Sequence, residues 1–280
     1  MEQYKLPLGN YIETFVDWLV DNGASFFDAI SESLEWLISL FTDALLWLNP
    51  IAFMVLIVAI ALYFRRSIGL AIYSVIALLL IWNLGYWVET MQTLALVLYA
   101  TLFCMLIGLP IGIYAAHHPM FYRALQPVLD LMQTVPTFVY LIPTLTLFGL
   151  GVVPGLISTI IFAIAAPIRL TYLGISEVPK DILEAGQSFG ATKRQLLFRI
   201  ELPAAATSIA AGVTQCIMLS LSMVVIAALV GADGLGKPVV RALNTVDIAS
   251  GFEAGLAIVL LAILLDRLFK TGQIEAGRSS

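Results

Sequence analysis

The chain has 280 residues, of which 60% are apolar and 12% charged, with a mean hydropathy of +0.97 and a formal net charge of −5. A water-soluble domain of this size carries about twice that share of charge, so the composition excludes an ordinary soluble globule and calls for lipid as the solvent of most of the surface. The net charge excludes little, because the charges are sorted along the chain.

Residues 1–43 carry eight acids and one base, Lys5. A basic start and a leading apolar core are both missing, so the segment does not read as a signal peptide. Ile12, Phe15, Val16 and Leu19 share one helical face, and Phe27, Ile30, Leu34, Leu37, Ile38 and Phe41 share another. Asp21, Asn22 and Gly23 are expected to break the two stretches into a pair of amphipathic helices on the outer leaflet or against a bundle.

Five runs then lack Asp, Glu, Lys and Arg: 44–64, 67–88, 90–116, 131–168 and 202–232. A spanning helix needs about 20 such residues, because the hydrocarbon layer is about 30 Å thick. The run 131–168 is long enough for two spans, divided at Gly149, Gly151, Pro154 and Gly155. The predicted fold is an all-α integral membrane protein with about seven transmembrane helices, at about 44–64, 67–86, 93–116, 125–148, 153–173, 205–231 and 249–268. The runs lack strict alternation, so a barrel is not expected.

Sorting the basic residues by loop sets the expected orientation. Arg65, Arg66, Arg123, Lys180, Lys193, Arg194, Arg199, Arg267, Lys270 and Arg278 fall on one side, with Arg169 near the same face, whereas Lys5, Lys237 and Arg241 fall on the other. The positive-inside rule places the first end outside and the last end in the cytoplasm. The expected organisation is an external helical tail (1–43), two transmembrane helices (44–90), a larger membrane unit (91–270) and a cytoplasmic tail (271–280).

Within the spans, Pro136, Pro143, Pro154 and Pro167 gather in the fourth and fifth. Broken helices are where many transporters hold their cargo. Pro136, Thr137 and Pro143 are therefore candidates for a translocation path, and Met132, Phe138, Tyr140, Met218 and Met223 could give it a soft, apolar lining. Cys104 and Cys216 read as packing residues, and Arg169 as a side chain reaching for the interface. His117 and His118, without a nearby Cys or acidic cluster, read as interfacial residues and not as metal ligands. Gly231-Ala-Asp-Gly-Leu-Gly236-Lys237 nearly spells a phosphate loop, but Pro238 stands where a hydroxyl is required and no strand precedes it. A flexible external loop is the better reading.

The longest polar segment between spans is 174–204. Pro179 suits a helix start, Asp181 and Glu184 suit its positive end, and Gly190 suits its stop. Thr192 and Gln195 have the spacing of a capping box for a second short helix. Pro203 ends the element, and the small residues Ala185, Gly186, Gly190 and Ala191 leave room for a partner surface.

Glu184-Ala185-Gly186, Gly190 and Ile200-Glu201-Leu202-Pro203 resemble the pattern E-A-A-x3-G-x9-I-x-L-P of ABC importer permeases, with Gly186 in place of the second Ala. Segments 130–155, 220–240 and 251–267 are similar to the osmoprotectant branch, which imports glycine betaine, proline betaine and choline; GADGLG and the following KPVVRALNTVDIA look most like its choline permeases. The resemblance implies a non-catalytic permease subunit in a bacterial inner membrane. It implies that Glu184, Ala185, Gly186, Gly190, Ile200, Leu202 and Pro203 form a coupling element docked on a separate cytoplasmic ATPase, which uses ATP and Mg, while this chain binds no cofactor. It further implies a permease homodimer and a soluble or anchored substrate-binding protein docking at an external gate formed by Gly231, Asp233, Gly234 and Gly236. No nucleic acid partner is expected. Choline is the first expected substrate and the betaines next; trimethylamine N-oxide or an amino acid is the alternative within the class. A secondary transporter driven by an ion gradient is the alternative from another class, with Asp130 and Glu253 its only acidic candidates.

Overall fold

The computed structural model describes residues 8–270; Lys5, Arg278 and the 271–280 tail lie outside the described residues. Helix α1 (Leu8–Trp47) is a single rod of 40 residues, about 60 Å long. The expected break at Asp21-Asn22-Gly23 does not occur. One glycine in a helix costs only about 1 kcal/mol, and the Asn22 side chain bonds back to the Trp18 carbonyl of its own helix. The later apolar face provides the anchorage: Leu34 and Ile38 pack with Tyr99, Phe103 and Leu156, and the Tyr99 hydroxyl donates to the Leu37 carbonyl at 2.9 Å.

The first expected span also changes form. α1 gives way to α2 (Pro50–Arg65) through a 97° bend. Asn49 caps α2, its side chain accepting from the Ile51 amide, and Pro50 stands in the first turn, where its missing N–H is not needed. α3 (Ile68–Asn83) is apolar but has 16 residues, about 24 Å, less than the hydrocarbon thickness of about 30 Å.

α4 (Trp87–His117), α5 (Pro119–Thr134), α6 (Thr137–Phe148), α7 (Val152–Ala163) and α8 (Ala165–Ser176) follow. The expected continuous span at 125–148 is instead α5 and α6 bent by 95°. Val135 and Pro136 are extended there, because a residue preceding proline avoids the helical region. The Tyr140 hydroxyl closes the bend by donating to the Met132 carbonyl at 2.6 Å. α9 (Lys180–Ser188), α10 (Lys193–Leu196), a π-helical turn (Leu197–Glu201), α11 (Leu202–Ala228), α12 (Gly236–Thr245) and α13 (Ile248–Phe269) complete the described residues, among which there is no strand.

Four units are long and apolar enough to cross a membrane: Trp87–His117, Val152–Ser176, Lys193–Ala228 and Ile248–Phe269. The two bent pairs raise the number to six when each counts as one crossing. All seven expected apolar segments are thus helical, while four to six reach crossing length.

α4, α8 and α11 form the centre. Lipid tails are as apolar as leucine, so helices in a membrane associate through close backbone approach at small residues. Gly112 does this against α8: a Cβ there would stand 2.6 Å from the Thr171 Cβ and 2.8 Å from the Ile168 carbonyl oxygen. Gly174 does it against α11, where Ser208 and Ala205 fill the space. Polar ties fix which ends lie together. Arg65 Nε donates to the Leu268 carbonyl at 3.0 Å, joining the ends of α2 and α13. Thr93 Oγ1 accepts from the Leu235 amide at 2.8 Å, joining the start of α4 to the chain just after α11. Arg65 and Arg267 accordingly share one end of the bundle, and Lys237 follows the loop held at the start of α4.

Candidate functional site

Helices α9 and α10 form a knuckle. α9 ends in a double-hydrogen-bonded cap: the Gly190 amide donates to the Gln187 carbonyl at 2.8 Å and the Ala191 amide to the Gly186 carbonyl at 3.0 Å. That cap needs a left-handed residue, supplied by Gly190 with φ of +80°. Thr192 then opens α10 with both halves of a capping box, its hydroxyl accepting from the Gln195 amide and the Gln195 side chain accepting from the Thr192 amide. The expected helix–Gly–helix unit is present in this form.

Gly186 sets how closely the two limbs fold together. A Cβ at this position would stand 2.8 Å from both the Ile200 Cδ1 and the Leu196 Cδ2. Glu184, Ala185 and Gly190 are exposed on the outer surface, Ile200 and Leu202 are half-buried, and Pro203 is exposed. Phe189, 92% exposed, stands at the tip, with Ile182 and Phe198 also open. Large apolar side chains held out on a polar knuckle mark an interaction surface. The sequence reading passed over Phe189; its signal is an apolar residue directly before the glycine of a basic loop.

The second limb runs without interruption into the membrane, since Lys193–Ala228 is one helical unit. Its π turn has a local cause. Pro203 has no N–H for the Arg199 carbonyl, and the Leu202 amide instead bonds to Leu197, five residues back. Glu201, buried in that turn, accepts from His117 Nε2 at the end of α4, with distances of 3.2 Å and 3.0 Å to its two oxygens. His117 is exposed at the end of α4 and tied there to Glu201. A cavity of about 770 Å³ lies beside this contact, lined by Tyr114, His117, Gln187, Arg194 and Leu197 among others.

The expected path residues fall into separate places. Met132, Pro136, Thr137, Phe138 and Tyr140 surround the α5–α6 bend, where Phe138 is exposed, and Pro143 lies inside α6. Met218 on α11 is exposed, whereas Met223 is fully buried within the protomer. At the opposite end, the loop of Gly231, Asp233, Gly234 and Gly236 is not the free loop expected. Ala232 and Leu235 are buried, Thr93 holds the Leu235 amide, and the Gly151 amide donates to the Val230 carbonyl at 2.9 Å. Asp233 and Lys237 pair on its surface. Among the described residues, no group of three His, Cys, Asp or Glu side chains is placed to hold a metal ion.

Residues 108–271, which contain the knuckle and the helices it joins, match the family model described as "Binding-protein-dependent transport system inner membrane component". The chain belongs to that family. The permease is 44% identical over 271 residues to the glycine betaine transport system permease protein OpuAB of Bacillus subtilis (strain 168), covering 97% of this chain and 96% of that one. It is 43% identical over 263 residues to the glycine betaine/proline betaine transport system permease protein ProW of Escherichia coli (strain K12), covering 94% of this chain and 74% of that relative. Among solved structures, the permease fold is similar to an inward-facing MetNI methionine ABC transporter, with a TM-score of 0.57 at 22% identity over 62% of this chain and 87% of the other. The permease is thus a multi-pass inner-membrane component of a transport system that works with a binding protein.

Proposed function

We propose that this permease imports small quaternary ammonium compounds, with glycine betaine and proline betaine ahead of choline. The observation that carries this reading is the 44% identity to a glycine betaine permease along 97% of the chain. The choline-like GADGLG segment is short beside that coverage, so choline takes second place. In this reading the knuckle faces the cytoplasm, α1 begins outside, two permease copies enclose the path, and an external receptor delivers the cargo between them.

A separate ATPase grips α9 and α10, with Phe189 and Glu184 on the gripped face. Because α10, the π turn and α11 are one unit, a push on the knuckle moves α11 as a lever. ATP binding stabilises the closed ATPase pair, and the permease conformation that fits that pair becomes the more populated one. Met132, Pro136, Thr137, Phe138, Tyr140, Pro143 and Met218 line the path, with Met223 behind them in the core. Gly231, Asp233, Gly234 and Gly236 form the pinned external rim that meets the receptor.

Proteoliposomes containing the permease and its ATPase test the reading. Labelled glycine betaine should enter only when receptor and ATP are both supplied, and an ionophore should leave uptake intact. Uptake that needs an ion gradient and no ATP overturns it.

A further inference from the structure

Arg169 and Asp130 form an ion pair that the coupling scheme leaves unused. Arg169 lies on α8 two turns before Ser176, about 10 Å in from the helix end. Its Nη2 donates to Asp130 Oδ1 of α5 at 2.6 Å. Both side chains stay partly open on the protomer: Arg169 is 32% exposed and Asp130 54% exposed. Ionised groups at membrane depth face protein or a watery path and avoid lipid. On that principle the α5–α8 face that carries them is one that a watery path would use.

Two further features make the pair more than a structural tie. Arg169 Nε is buried with no hydrogen-bond partner among the described residues. A guanidinium presents its N–H groups as a fork that fits a carboxylate at two points; Asp130 meets only Nη2, and part of the Arg169 side chain stays open. Beside the pair, Tyr172 of α8 stacks on Tyr122 of α5, with ring centroids 3.4 Å apart and planes within 7°. Tyr172 follows Arg169 by one turn on α8, and Tyr122 precedes Asp130 by about two turns on α5. Aromatic faces attract quaternary ammonium ions.

We infer that Arg169, Asp130 and the Tyr122–Tyr172 stack form a transfer site for a zwitterion, Arg169 taking the carboxylate of the cargo while Asp130 and the tyrosines take its quaternary ammonium. This inference rests on the proposed import of betaines. Without cargo, the two charges satisfy each other. A betaine replaces one ion pair with two, so no charge is left unmatched in a poorly solvated site. Choline carries no carboxylate; it engages Asp130 and strands Arg169. The site thereby favours betaines over choline independently of the receptor.

The test uses the complete transporter, with ATPase and receptor, in proteoliposomes supplied with labelled glycine betaine. Wild-type uptake comes first, and its absence counts against the import reading itself. Given uptake, Arg169→Gln should lower it about 10- to 100-fold, as expected for loss of a hydrogen bond to a charged group. The double variant Asp130→Asn/Arg169→Gln decides between roles. A pair that only holds α5 to α8 is relieved when both charges go, so uptake returns; a cargo site stays inactive. Restored uptake in the double variant, or unchanged uptake in Arg169→Gln, overturns the inference. Should Arg169→Gln fail to assemble with the ATPase on size exclusion, Arg169→Lys keeps the charge without the fork. It should still lower uptake several-fold, and wild-type uptake in that variant also overturns the inference.

Discussion

His117, on the last turn of α4, holds the buried Glu201 carboxylate of the π turn at 3.0 Å. Its other ring nitrogen, Nδ1, faces the Ile113 carbonyl at 2.8 Å. Both contacts are to oxygen, so the ring bridges the end of α4 and the root of the knuckle lever. His117→Ala leaves Glu201 buried without this partner and should destabilise the protein by about 1–3 kcal/mol. Adding Glu201→Gln should recover part of that loss, because a neutral amide is less costly to bury than an unpaired carboxylate. Thermal unfolding in detergent of the single and double variants checks both expectations.

Substitutions at Gly186 should divide by size. The atoms that a Cβ would meet are the tips of Ile200 and Leu196, which can swing aside. Gly186→Ala should therefore retain uptake. Gly186→Leu wedges α9 away from α10 and should abolish ATP-dependent uptake while the membrane bundle still folds. Gly190→Ala adds the left-handed backbone strain of about 1–2 kcal/mol. Uptake and thermal unfolding measured side by side separate the three.

Gly112 has no such freedom, since its nearest neighbours include the Ile168 backbone oxygen at 2.8 Å. Gly112→Ala forces α4 from α8 and should destabilise the bundle by about 1–3 kcal/mol. Gly255→Ala is the control, with nothing within 4 Å of the added Cβ, and should hold or slightly raise the unfolding temperature, since alanine is favoured over glycine inside a helix by about 1 kcal/mol.

Asp247 gives a pH dependence with a defined sign. It caps α13, accepting from the Ser250 amide at 3.1 Å and the Ser250 hydroxyl at 2.6 Å, and these bonds hold its carboxyl below the usual carboxylate range. Its contribution is therefore complete above the unfolded value of about 3.9 and is lost as pH falls through the depressed folded value. Amide exchange in the first turn of α13, corrected for intrinsic rates, should stay slow at pH 5 and quicken only below about pH 4. Asp247→Ala should remove that pH step.

The apolar helices were legible because charge-free runs of about 20 residues have few other uses. The knuckle was legible because its signals are local: Gly190 stops one helix, and Thr192 with Gln195 starts the next within three positions. What escaped depends on partners distant in the chain. His117 and Glu201 are 84 residues apart, and Thr93 pins the Leu235 amide across 142 residues. The continuity of α1 through Gly23 comes from packing along its later face, which outweighs the local break signal. The 95° bend at Pro136 was visible as a proline, but its angle is set by the Tyr140–Met132 tie.

The grip of a separate ATPase on the knuckle is the central step of the proposed transport, and Glu184→Lys tests it most directly. Co-purification of the ATPase with the wild-type and variant permease, alongside ATP-driven glycine betaine uptake, is the measurement. The predicted result is loss of ATPase binding and of uptake, with an unchanged unfolding temperature for the membrane bundle. Full uptake by the Glu184→Lys permease contradicts it.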